Sequence, residues 1–226
     1  MEERTHQSQQ GRRPRTPDEA YQELRDGNRR FVEGQVRRPR VDVSTVAETA
    51  RHGQKPFAVI LACSDSRVPV EIVLDQGIGD LLVVRTAGNV CNVDQTGTIE
   101  FGLMALDTPL IVIMGHTGCA AVGAAAAGTN LGGMIPVMID AIAPAVMEAR
   151  SLNPGASPTE LADLAAERNA WWGLARLLRQ SPMVRDSVGR GRCRAVAALY
   201  EIETGRVRWL GDHPEQDALL GDSPDR

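Results

Sequence analysis

Aromatic residues are scarce. Three Trp, two Tyr and three Phe make up 4% of the 226 residues, so the core has to be built from aliphatic side chains. Cysteine is scarce too. Four in a chain of this length do not make a disulfide framework, and free thiols fit a reduced, cytoplasmic compartment. The opening Met1–His6 lacks the apolar stretch of a secretory signal, in keeping with that expectation. Positive charge is in deficit: 25 Lys and Arg stand against 29 Asp and Glu, a formal net charge of -4. With no basic stripe either, there is no electrostatic case for nucleic acid. No apolar run approaches the roughly 18 residues of a membrane span. Neither an internal repeat nor a linker to a second domain stands out, and the length fits one domain.

What the chain does have is a series of short apolar runs separated by helical patterns. Phe57 to Ala62, Leu81 to Arg85 and Leu110 to Met114 read as strands buried on both faces. Helical spacing covers Pro69 to Gln76, Asp94 to Asp107 and the small-residue stretch Ala120 to Gly128. This alternation predicts an α/β fold: a mostly parallel central sheet with right-handed crossovers and helices on both faces. Arg194 to Glu201 and Arg206 to Leu210 flank a Thr-Gly turn and predict a late hairpin that gives the sheet an antiparallel edge strand. Residues 1–16 are polar and aperiodic, a disordered tail. Thr16-Pro17-Asp18-Glu19 opens a helix over 17–34, with a capping residue, proline at the first position and acids in the first turn. The main domain is expected over 17–210, and an acidic mobile tail over 211–226. Ser44 to His52 is a short helix, and Met134 to Arg150 a helical stretch interrupted by Pro136 and Pro144. A capping box at Ser157 starts a long helix to Gln180, in which Trp171 and Trp172 are expected as core anchors.

The chemistry gathers at two strand ends. Cys63, Asp65 and Arg67, spaced two apart, follow the first strand and share a face if the chain stays extended. His116 and Cys119 follow the third strand at i and i+3, on one side of a first helical turn. Carboxyl ends of parallel strands are where open α/β sheets bind ligands. Two thiolates and an imidazole suit zinc, and three protein ligands leave a tetrahedral position open. A structural site would want a further close Cys/His pair, which is missing, so the spacing favours a catalytic metal. Alone, Cys63 would be an inert core thiol and His116 a satisfied histidine; together they point to a metal. Cys91 and Cys193 read as ordinary reduced thiols. His6, His52 and His213 lie in polar segments and are expected to be solvated.

Cys63-Ser64-Asp65-Ser66-Arg67 followed by His116-x-x-Cys119 resembles the β-class carbonic anhydrases. The similarity runs from about Pro17 to Leu210, through Asp26–Phe31, Arg85–Asn89 and Tyr200–Gly205. It implies one Zn2+ per subunit on Cys63, His116 and Cys119. It also implies reversible hydration of carbon dioxide to bicarbonate and a proton by a zinc-bound hydroxide. Asp65 would orient that hydroxide while Arg67 keeps the carboxylate charged. In some members the matching Asp swings onto the metal, so Asp65 is also a candidate ligand. The resemblance implies a homodimer or higher even oligomer, with helix 17–34 as an arm across the neighbouring subunit; the plainer reading packs that helix on its own domain. By position, Gln54 would hydrogen-bond substrate. Leu82 and Phe101 match pocket-wall positions that are often Phe and Tyr. Ala120 replaces a usual glycine, and Ile60 stands where members with a bicarbonate-regulated closed site often carry Trp. Hydrolysis of carbon disulfide or carbonyl sulfide on the same scaffold is the alternative reaction. A non-enzymatic zinc or thiol-redox protein is the alternative class, which Asp65 and Arg67 count against.

Overall fold

Apolar side chains alternate between the two faces of the central strands and draw helices onto both. A computed structural model describes residues 13–129 and 131–221. Its strands are β1 (Ala58–Ala62), β2 (Leu81–Arg85), β3 (Leu110–His116), β4 (Arg194–Glu201) and β5 (Arg206–Gly211). They form one sheet in the order β2-β1-β3-β4-β5, parallel throughout except for the β4–β5 pair. Among the described residues the helices are α1 (Pro17–Val32), α2 (Val43–His52), α3 (Val70–Val73), α4 (Val93–Ala105) and α5 (Ala120–Ala127). They continue as α6 (Ile135–Ile139), α7 (Ala143–Leu152), α8 (Pro158–Gln180), α9 (Pro182–Gly189) and α10 (Gln216–Leu220).

Ile60, Val112, Met114, Val196 and Ala198 pack with α1 and α3 on one face. Val59, Leu61, Ile111, Ile113, Ala195 and Ala197 pack on the other, with residues of α4, α8 and α9. The period of two along each strand thus serves two aliphatic layers, each fully buried Ile or Leu contributing about 1.5–3 kcal/mol. The expected α/β sheet with its antiparallel edge strand is the one observed.

Helix α1 packs on its own domain along one side. Ala20 and Leu24 are fully buried in the first layer. The Asn28 amide donates to Val73 O (3.0 Å) and Gly205 O (2.9 Å) and accepts from Val207 N (2.8 Å). Arg30 is buried against Asp75 at 2.6 Å. The polar and apolar partners of the helix are therefore supplied by the same chain.

Residues 13–16 and 211–221, expected within the tails, are docked on the domain. Arg13 donates to Lys55 O at 2.9 Å and Thr16 caps α1, so the chain is already docked there; residues 1–12, with His6, lie outside the described residues. At the other end Leu219 and Leu220 of α10 pack on the second layer, and only 222–226 lie outside the described residues. His213 is half-buried edge-on to Trp171, ring centroids 5.5 Å apart, and desolvation lowers its pKa. His52 is exposed as expected. Trp171 and Trp172 are half-buried rather than central, and the Trp172 indole donates to Glu148 at 2.6 Å. Pro136 and Pro144 each open a separate helix, and Ser181 ends α8 while capping α9, a helix not expected from the sequence.

Candidate metal centre

Parallel pairing aligns Ala62 of β1 with Met114 of β3, so the two chains leave the sheet side by side. Cys63 is the first residue beyond β1. His116 ends β3, and Cys119 sits at the N-cap of α5. Their ligand atoms all lie within 4.8 Å of one another, the three residues are buried, and the two sulfurs are 3.9 Å apart.

The histidine is preset as a donor. His116 Nδ1 lies 2.9 Å from Thr117 O, so the proton belongs on Nδ1 and the lone pair on Nε2. That Nε2 is buried with no hydrogen-bond partner. An orphaned buried acceptor costs about 1–3 kcal/mol unless something meets it. Facing two thiols, it fits a soft or borderline divalent cation.

One of the two thiols is poised to lose its proton. Cys63 is drawn down to about 4 by its hydrogen bond from Cys119, against the effect of burial, with help from His116 and the backbone N–H groups of Asp65 and Gly88. Gly88 N lies 3.2 Å from Cys63 Sγ. Cys119 is pushed up by its bond to Cys63 and by burial. Of the two sulfurs, Cys63 is the one whose anion the surroundings favour.

Beyond Cys63 the chain does not stay extended. It turns at Ser66–Arg67, Val68 N donating to Asp65 O at 3.0 Å, and this folds Arg67 back onto Asp65. The guanidinium grips the carboxylate twice, Nε to Oδ1 at 3.0 Å and Nη2 to Oδ2 at 2.8 Å, and Arg67 N adds a third bond at 2.9 Å. These bonds hold the Asp65 carboxyl well below the usual carboxylate range. Asp65 is not one of the clustered ligands; Arg67 engages both its oxygens.

Three further residues brace the site. Arg85, at the end of β2, donates to Cys63 O (3.1 Å) and Asp65 O (2.6 Å) and so fixes the loop carrying both side chains. Asn169 of α8 donates to Gly88 O at 2.7 Å, holding the turn that faces Cys63. Asp163 of α8 accepts from Gly118 N at 2.8 Å. Only Arg85 left a trace in the sequence, as a cation closing a buried apolar strand.

Gln54 is exposed between α2 and β1, Leu82 packs in the second layer, and Phe101 projects outward from α4.

The family model described as carbonic anhydrase matches residues 58–207. Carbonic anhydrase 2 of Mycobacterium tuberculosis is 39% identical over 201 residues, 87% of this chain and 94% of that protein. The carbonic anhydrase of Mycolicibacterium smegmatis is 34% identical over 203 residues, with 87% and 96% covered. Among solved structures, the β-carbonic anhydrase CafA of Aspergillus fumigatus is similar with a TM-score of 0.71 at 26% identity, covering 78% of this chain and 85% of that one. With a match that runs through both ligand-bearing strand ends, and relatives alike over most of their length, this chain belongs to the β-carbonic anhydrase family.

Proposed function

We propose that this chain is a zinc enzyme interconverting carbon dioxide with bicarbonate and a proton. The observation that carries this is the buried Cys63–His116–Cys119 trio with an unpaired His116 Nε2, beside an Asp65 carboxylate engaged by Arg67. Cys63, His116 and Cys119 hold the metal. When bound, zinc supplies a Lewis acid that acidifies a coordinated water. Asp65 accepts a hydrogen bond from the attacking water oxygen and aims its lone pair at the carbon. Because Arg67 keeps the carboxylate ionised, Asp65 orients the oxygen and does not take up the proton the water loses, which passes to solvent buffer.

The working unit in this reading is a dimer or a higher even oligomer. It is supported by α4, whose Val93 (77% exposed), Phe101 (55%) and Met104 (64%) lie near one another along its outer side. A second copy covering that face encloses Phe101, with Leu82 beneath the same helix and Gln54 as the amide that holds a linear substrate. Among the described residues no helix is long and apolar enough to cross a membrane, and four free thiols support a cytoplasmic setting. The test is stopped-flow hydration of carbon dioxide by the zinc-loaded protein, with metal content measured on the same sample. One zinc per chain with rapid hydration is expected. A fully loaded protein no faster than buffer overturns the reading.

A further inference from the structure

The proton on His116 Nδ1 is given to Thr117 O, at 2.9 Å. The same peptide unit donates its other end, Gly118 N–H, to Asp163 Oδ1 at 2.8 Å. A carboxylate, one peptide group and the metal-facing imidazole therefore form a single hydrogen-bonded line. We infer that Asp163, on α8, is a positioning residue that strengthens His116 as a metal donor through the Thr117–Gly118 peptide. The inference rests on the reading of the trio as a zinc site.

A carboxylate accepting from a peptide N–H polarises the group and makes its carbonyl a stronger acceptor. A stronger acceptor at Nδ1 fixes the ring and raises the electron density at Nε2, as a carboxylate bonded directly to a ligating histidine does. The peptide is held in place to transmit this. Thr117 N donates to Tyr200 O at 3.0 Å, and Thr117 Oγ1 accepts from Ile202 N at 3.1 Å. Gly118 has a φ of 63°, which takes its N–H out of both β3 and α5, and its carbonyl accepts from Arg67 Nη2 at 3.1 Å. Asp163 lines a cleft of about 600 Å³ with Glu160, Glu167 and Arg208. Its two acidic neighbours are engaged elsewhere: Glu160 in the Ser157 cap and Glu167 with Arg208 at 2.8 Å. Of the three carboxylates, Asp163 is the one bonded to the metal loop.

The experiment measures zinc affinity by chelator competition for the parent, Asp163→Asn, Asp163→Ala and Glu167→Gln. It also records the proton resonance of His116 Nδ1–H. Asp163→Asn keeps the shape and an acceptor but removes the charge; Glu167→Gln removes the same charge one turn away. Expected is a loss of affinity of about tenfold for Asp163→Asn, a larger one for Asp163→Ala and none for Glu167→Gln. The Nδ1–H resonance should move upfield in the two Asp163 variants alone. Unchanged affinity in both Asp163 variants, or an equal loss in Glu167→Gln, overturns the relay while leaving the zinc reading intact. A parent chain that binds no zinc overturns both.

Discussion

Cys63 and Cys119 at the strand ends, and Cys91 and Cys193 elsewhere in the core, are four buried free thiols in one chain. Burial alone does what it should to the second pair. It raises Cys91, which has Thr96 Oγ1 at 3.5 Å, and pushes Cys193 up to about 12. The first pair is scarcely more exposed, yet Cys63 is drawn down. What differs is the company: a second thiol beside Cys63 and backbone N–H groups aimed at its sulfur. A buried thiol becomes a ligand where donors that stabilise its anion converge, and a small hydrophobe where they do not.

The sharpest way to break this contrast is to remove the convergence. Cys63→Ser, His116→Ala and Cys119→Ser should each lose most bound zinc, whereas Cys91→Ser and Cys193→Ser should keep a full complement. Metal analysis of the five purified proteins decides it, and full zinc in the Cys119 variant contradicts the assignment.

Arg67→Ala comes next. It leaves all three ligands and should retain zinc, while hydration falls by about 10- to 100-fold because Asp65 loses its partner. Folding favours the Asp65 anion, so this pairing stabilises above the ordinary carboxylate range and is lost as the pH falls through the lowered native value. Without Arg67 that contribution is missing, so stability should depend less on acid pH, while activity should be lost at higher pH because Asp65 takes up a proton more readily. Parallel pH titrations of unfolding and activity test both parts; a variant as fast as the parent makes the pair merely structural.

A smaller effect is expected at the turn facing Cys63. Gly88 has a φ of 67°, and a Cβ there would lie 2.6 Å from Ile142 Cδ1. Gly88→Ala should cost about 1–3 kcal/mol and loosen zinc through the shifted N–H. Denaturant unfolding and chelator competition measure the two; a fully stable variant with unchanged zinc affinity contradicts the role given to Gly88.

The smallest effect concerns the other pair. Folding favours the neutral thiol of Cys193, so its contribution holds below its ordinary value of 9.0 and is lost as pH rises through about 12. Native protein at pH 8 should leave Cys193 unalkylated by iodoacetamide, with full labelling only after unfolding. Rapid native labelling of Cys193 means that its burial is not what protects it.

The apolar runs at 57–62, 81–85 and 110–114 were legible as strands because burial on both faces leaves few polar residues in them. Their bounds shifted by no more than two residues, whereas α9 (Pro182–Gly189) was not among the expected helices. The clustered Cys63, His116 and Cys119 were legible as candidate ligands because Cys and His are favoured for zinc, and both motifs fall where strands end. The turn at Ser66–Arg67 was less so, since two-residue spacing fits an extended chain as well as a turn that brings Arg67 back to Asp65.

Sequence by itself determined the alternating aliphatic layers, the caps that open α1 and α8, and the three residues that cluster as candidate ligands. Each of these depends on residue type and local spacing, which the chain carries in order. Only the tertiary structure decided that α1 lies on its own domain, that Arg85 braces the Cys63–Asp65 loop, and that Asn169 and Asp163 hold the turns around the site. These contacts join residues from about 20 to 179 positions apart. An Asn or Asp on a half-buried helix face has no local mark of which distant peptide it will meet, because that partner is chosen by how the sheet and helices pack.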